Sequence, residues 1–183
     1  MRHIIGLFLI FLGLFYSCES KTSLALSLDD SRLKLDNGQL YLDQDLFQGY
    51  LISRYDSDSL KSKVFYAQGR KQGIEQFWFE NGSLATERKY SKGIKIGIHK
   101  AWWENGNPKF EYHFDPNGAY HGSVLEWYEN GNQYRKFNYS HGKEAGRQTM
   151  LDIDGKIKAN YDVANGERFG LVGLKKCDPV VMY

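Results

Sequence analysis

From about residue 45 onward, apolar and polar residues alternate with a period of two, and turn residues break the alternation at regular intervals. Such alternation is the pattern of a strand with one covered face and one wet face. The interruptions are glycines. Gly73, Gly97, Gly122, Gly146 and Gly170 stand 24, 25, 24 and 24 positions apart, and Gly49 lies 24 before the first. Gly69, Gly93, Gly118, Gly142 and Gly166 each precede one of the first five by four residues. Between successive pairs lies a turn dipeptide: Asn81-Gly82, Asn105-Gly106, Asn130-Gly131 and Asp154-Gly155. A strand, a central turn, a second strand and a glycine link therefore recur. A fixed short period marks an array in which each unit covers only its neighbours. Residues after the leader show no sustained 3.6-residue apolar period, so little helix is expected. The predicted fold is all-β, a single-layer antiparallel meander of repeated hairpins with a period of 24–25 residues.

Asn-Gly and Asp-Gly favour positive φ at both central positions, which predicts two-residue type I′ turns. In the first unit the turn site reads Asp56-Ser57-Asp58-Ser59, a drifted version. Two-residue turns fix cross-strand partners. Glu75 then faces Arg88, Lys100 faces Glu111 and Glu126 faces Arg135, three pairs of opposite charge worth about 0.2–1 kcal/mol each. Nearer the turns, Phe79 faces Leu84, Trp103 faces Pro108, Trp102 faces Lys109 and Trp127 faces Tyr134. One face carries Phe77, Phe79, Leu84 and Tyr90, then Ala101, Trp103, Pro108, Phe110, Tyr112 and Phe114. It continues through Val124, Tyr128, Phe137 and Tyr139 to Ile157, Ala159, Tyr161 and Val163, and is the candidate core. The other face carries Trp78, Trp102 and Trp127 at equivalent positions among Lys100, Lys109, Glu111, Glu87, Lys89 and Lys136, with Arg54 and Leu151 in the same slot at the two ends.

Strands spaced about 4.8 Å apart give roughly 10 Å per hairpin, so five units make a ribbon roughly 50 Å long with a thin core. The composition suits that shape, because 15% of residues are aromatic within a hydrophobic fraction of 42%, and large rings cover much area per residue. The formal net charge is +2 and no basic block occurs, which removes the electrostatic basis for nucleic-acid binding.

The chain opens Met1-Arg2-His3 and runs apolar from Ile4 to Tyr16 before Ser17-Cys18. That run is short of the roughly 20 residues that span a bilayer and reads as a secretory signal peptide. Ser17-Cys18 resembles a lipobox, which makes Cys18 the candidate acylated residue. The expected organisation is a signal peptide over 1–17, a lipid anchor and tether over 18–31, the hairpin array over 32–176, and a capping tail over 177–183. With Cys18 acylated, Cys177 is left without an internal disulfide partner.

The phrase Gly73…Trp78-Phe79-Glu80-Asn81-Gly82, followed by Tyr90…Gly93…Gly97, recurs as Gly97…Trp102-Trp103-Glu104-Asn105-Gly106 and Gly122…Trp127-Tyr128-Glu129-Asn130-Gly131. It resembles the bacterial MORN repeat variant over roughly residues 45–174. The resemblance implies an all-β meander of hairpins and a scaffold or docking role. Bacterial members are also labelled antitoxins by analogy, but an exported, acylated protein stands on the wrong side of the membrane to neutralise a cytosolic toxin.

The row Trp78, Trp102 and Trp127 is the candidate binding surface, for a partner's side chains or for sugar rings. His99 and His113 fall on opposite faces of one hairpin, and His121 and His141 near separate links, which is not ligand geometry. Cys177 and Met182 are soft ligands that suit Cu(I), a copper or redox reading, while the tail from Cys177 to Tyr183 also fits a cap over the last strand. There is no Gly-x-Ser-x-Gly elbow and no phosphate loop, and Glu80, Glu104 and Glu129 recur with the turns. The expectation is a non-catalytic lipoprotein with no cofactor, anchored to a bacterial envelope membrane, the outer membrane by preference, and docking another envelope protein. The alternative is a carbohydrate-binding envelope protein using the tryptophan row.

Overall fold

The computed structural model describes residues 24–173. The leader, Cys18, Cys177 and Met182 lie outside the described residues. Within them the chain is all-β, and no helix is long and apolar enough to cross a membrane. The first strands are β1 (Ala25–Ser27), β2 (Leu33–Asp36), β3 (Gln39–Leu42) and β4 (Asp45–Leu46). Then come β5 (Gly49–Arg54), β6 (Leu60–Ala67), β7 (Arg70–Trp78), β8 (Leu84–Ser91), β9 (Ile94–Lys95) and β10 (Gly97–Trp102). The rest are β11 (Pro108–Phe114), β12 (Tyr120–Trp127), β13 (Gln133–Ser140), β14 (Lys143–Glu144), β15 (Gly146–Leu151), β16 (Ile157–Ala164) and β17 (Glu167–Leu171). From β5 to β17 the long strands pair antiparallel in chain order, while β9 and β14 are short extensions beside β8 and β13.

The three charge pairs expected from the turns are direct cross-strand partners: Glu75 with Arg88, Lys100 with Glu111, and Glu126 with Arg135. The turns themselves are not type I′. At Asn105-Gly106, Trp103 N–H donates to Asn107 O and Gly106 N–H donates to Trp103 O. Gly106 has φ of 86°, whereas Asn105 is not among the positive-φ residues. This is a type I turn closed by a glycine in the left-handed region, the three-residue hairpin. Asn105 supports it by accepting the Asn107 N–H on Oδ1 at 3.0 Å. The same bonds recur at Tyr55/Ser59, Phe79/Ser83, Tyr128/Asn132 and Asp152/Lys156. In the first of these Asp58, at φ of 64°, stands in the glycine's place. Paired positive φ occurs instead in the links, at Gln68-Gly69, Lys92-Gly93, His141-Gly142 and Asn165-Gly166.

The longer turn displaces the register by one residue near each tip, and a bulge restores it. Trp102 pairs with Pro108 and Ala101 with Phe110, so Lys109 is the extra residue. Ala85, Tyr134 and Lys158 occupy the same place in other hairpins, and Lys61 does so in the first. The expected partners near the turns are corrected accordingly. Leu84 pairs with Trp78 rather than Phe79, Pro108 with Trp102 rather than Trp103, and Gln133 rather than Tyr134 with Trp127. Leu84, Pro108 and Ile157 thereby move to the tryptophan face.

The main core lies at the N-terminal end. Leu40, Phe47, Leu51 and Val64 are buried together, with Leu26, Leu33, Leu42 and Tyr66 packed against them. The sheet formed by β2, β3 and β4 is held there by Leu40 N–H to Gly69 O and Gly69 N–H to Phe47 O. The approach is close enough that a Cβ on Gly69 would stand 2.8 Å from Leu40 O. Within the stretch expected to be tether, β1 is a strand paired parallel to β5. The opposite end presents β17, every residue of which is exposed.

Candidate binding groove

Two residues after each link glycine stands a position that faces the apolar side: Leu51, Glu75, His99, Val124 and Gln148. All five are buried, Gln148 completely. Leu51 is covered by Leu40 and Phe47 at the N-terminal end. Over the later members no second sheet lies among the described residues, and rings on the same face supply cover. His99 lies between Tyr90, 5.5 Å away, and Phe114, 4.6 Å away. Each of the three polar members has a hydrogen-bond partner, although Glu75 Oε2 itself accepts no hydrogen bond among the described residues. Lys71 bonds Glu75, with Arg88 3.6 Å from it. His99 Nε2 lies 2.9 Å from Lys89 O. Gln148 donates from Nε2 to Asn138 O and accepts the Asn138 N–H, both at 2.9 Å. Burial holds the His99 pKa below its ordinary value of 6.5 and pushes the Tyr90 hydroxyl up to about 12, with the Glu75 carboxylate adding to the latter.

On the same face, toward the turns of the third and fourth hairpins, Trp103, Phe110, Tyr112, Tyr128 and Tyr134 line an open groove of about 800 Å³, which Trp127, a residue of the opposite face, also borders. Phe110 and Tyr112 stack at 4.3 Å, and Tyr128 meets Tyr134 at 5.1 Å and 60°. The bulges create this arrangement, because they turn Lys109 and Tyr134 toward the turn rings. The Lys109 ammonium sits 4.3 Å from the centre of the Trp103 ring. Lys109 is therefore on the apolar face, not among the residues around Trp102 as the two-residue turn predicts.

Beneath the rings, Tyr112 donates its hydroxyl to Glu126 Oε1 at 2.5 Å, and Arg135 bonds the same oxygen. Burial, aided by that carboxylate, pushes the Tyr112 pKa well above the ordinary tyrosine value. Tyr112 therefore stays protonated as a donor, and the Glu126 charge is matched by Arg135. The carboxylate and guanidinium of the groove floor are thus paired with each other.

The residues expected to form a tryptophan row are all half-buried. Trp102 and Trp127 line a crevice of about 110 Å³ beside Lys100 and Glu111, which pair at 3.2 Å. Trp78 borders a separate hollow of about 300 Å³ with Tyr55, Phe77 and Phe79. Trp127 borders both the crevice and the aromatic groove. The sequence does not reveal the groove, because Trp103, Phe110, Tyr112 and Tyr128 read as core. In a one-layer sheet the apolar face stays partly open, and the thinness inferred from the sequence was the available signal.

His99 and His113 are on opposite faces, and His113 Nε2 lies 2.8 Å from Glu111 Oε1. His121 and His141 come from different links but meet, with ring centres 4.6 Å apart, and His141 Nδ1 lies 3.1 Å from Asp115 Oδ2. Among the described residues no group of three or more His, Cys, Asp or Glu could hold a metal ion. Comparison with known proteins found no matching family model and no matching curated protein.

Proposed function

We propose that the chain is a non-catalytic docking module, a MORN-like hairpin array carried on a bacterial envelope membrane through an acyl chain at Cys18. One observation carries the reading: Trp103, Phe110, Tyr112, Tyr128 and Tyr134 line an open groove on a sheet face that no second sheet covers among the described residues. Exposed aromatic patches of this kind serve recognition, and rings already held by neighbours lose little entropy on binding. The partner is another envelope protein. The test is crosslinking in intact cells from a photoreactive residue at position 134, with position 136 on the opposite face as the control and Cys18→Ala to remove the anchor. One recurrent protein, captured near stoichiometry from 134 and not from 136, is the expected result. Equal capture from both positions, or none, would reject the groove as the docking surface.

A second reading, carbohydrate binding, draws on the crevice of Trp102 and Trp127, where Lys100 and Glu111 set polar groups beside two rings. Its test is a glycan array on which signal disappears with Trp102→Ala.

A further inference from the structure

We infer that the groove receives a cationic side chain, lysine or arginine, presented by an extended segment of the partner protein. The inference rests on the docking reading and names the chemistry of the occupant.

The groove already holds a cation of its own. Lys109 is exposed and sits over the Trp103 ring, and among the described residues it makes no ion pair and no hydrogen bond. The ring alone holds that ammonium, an attraction of about 0.5–1 kcal/mol at an exposed site, so it is readily displaced. Lys61 lies in the same way over Tyr55, 5.2 Å from the ring centre. A lysine in the bulge reaching the turn ring is thus a recurring contact, which shows that this ring face accepts a cation.

The charge around the groove favours the same occupant. On the floor, Glu126 is matched by Arg135 and Tyr112 and neither attracts nor repels strongly. At the mouth, Glu129 lines the groove, and Glu104 and Asp154 stand next to lining residues on the flanking turns. The carboxylates of all three are exposed, and none forms an ion pair among the described residues. The Glu129 turn is firmly placed, because its backbone carbonyl accepts Asn105 Nδ2 at 2.8 Å and Asn107 Nδ2 at 2.9 Å. An incoming cation displaces Lys109, takes its ring face and gains the carboxylates of the mouth. An anionic segment would face those carboxylates, and a neutral sugar would gain nothing from Lys109 leaving.

That displacement makes the test specific. The mature full chain carrying Cys18→Ala, which keeps it free of lipid, is titrated with an octapeptide of alternating arginine and serine. The glutamate–serine octapeptide and a chitin oligosaccharide are titrated in parallel. The expected results are binding of the arginine peptide alone, weakening as salt rises. Lys109→Ala is expected to tighten binding about two- to fivefold, because the ring face is freed. Glu129→Gln, whose side chain has no structural bond, is expected to weaken it. Weaker or unchanged binding in Lys109→Ala, or preference for the acidic peptide or the sugar, would overturn the inference. Should crosslinking from position 134 still capture one partner in that case, the docking reading stands and only the cationic occupant is lost.

Discussion

Trp103 donates its indole Nε1–H to the backbone carbonyl of Trp127, 3.2 Å away and one hairpin further along the chain. Tyr55 makes the same reach to Trp78 O at 2.8 Å, and Tyr128 to Leu151 O at 3.1 Å. At three of the turns a ring thus staples its hairpin to the next. The second hairpin carries Phe79 at this position and has no donor to offer. Phe79→Tyr is therefore expected to stabilise the protein by about 0.5–1.5 kcal/mol, the net worth of one hydrogen bond, seen as a higher urea midpoint. An unchanged or lower midpoint would show that the second and third hairpins are not aligned as the others are.

The cluster of Arg135, Glu126 and Tyr112 is the groove's structural floor. Arg135→Met keeps the stem but leaves Glu126 without its cation in a half-buried site. A loss of about 1–3 kcal/mol is expected from chemical denaturation. Glu126→Gln combined with Arg135→Met should recover part of it, because no bare charge remains. Additive losses in the double variant would mean that the two residues do not act as a pair.

His99 provides a pH dependence whose sign is determined by burial. Its folded pKa lies below the ordinary 6.5, so the unfolded chain binds the proton more readily. The contribution is fully present above pH 6.5 and is lost as pH falls from there through the folded value. Glu111 is lowered by its bond to His113 and then by Lys100, and Asp115 by the Ala119 N–H and then by His141. Those carboxylates contribute above their ordinary values of 4.5 and 3.8 and lose the contribution only in more acid solution. Between pH 8 and 5, the wild-type chain should therefore lose more stability than His99→Gln in urea titrations. Parallel pH curves for the two would remove His99 as the cause.

The turn type can be tested by substitution. Gly106 has φ of 86°, so Gly106→Ala forces a side chain into the left-handed region and should cost about 1–2 kcal/mol. Asn105→Ala loses one backbone-supporting bond and should cost less. In a type I′ turn both positions would need positive φ, and the two substitutions would cost similar amounts. Thermal unfolding of the two variants decides between the geometries.

The hairpin array, its period and the three charge pairs were legible in the chain, because glycine spacing and strand alternation are local properties. The partners beside the turns were misread by one residue. Asn-Gly suits a type I′ turn, but Glu104-Asn105-Gly106 equally suits a type I turn with glycine in the left-handed position, and local preference does not separate them. The strand beyond the turn stayed in the expected register because a bulge at Lys109 or its equivalent removes the one-residue offset.

Sequence alone determined which residues alternate, where the chain turns and which charges oppose one another, since each follows from backbone geometry within one hairpin. Tertiary structure decided the rest. Stapling between successive turns, burial of Glu75, His99 and Gln148, and the meeting of His121 with His141 all join residues of different hairpins or different strands. The aromatic groove depends on this most. Its rings read as core until the fold shows that no second sheet covers them among the described residues, and its cation reaches Trp103 only because a bulge turns Lys109 to the other face.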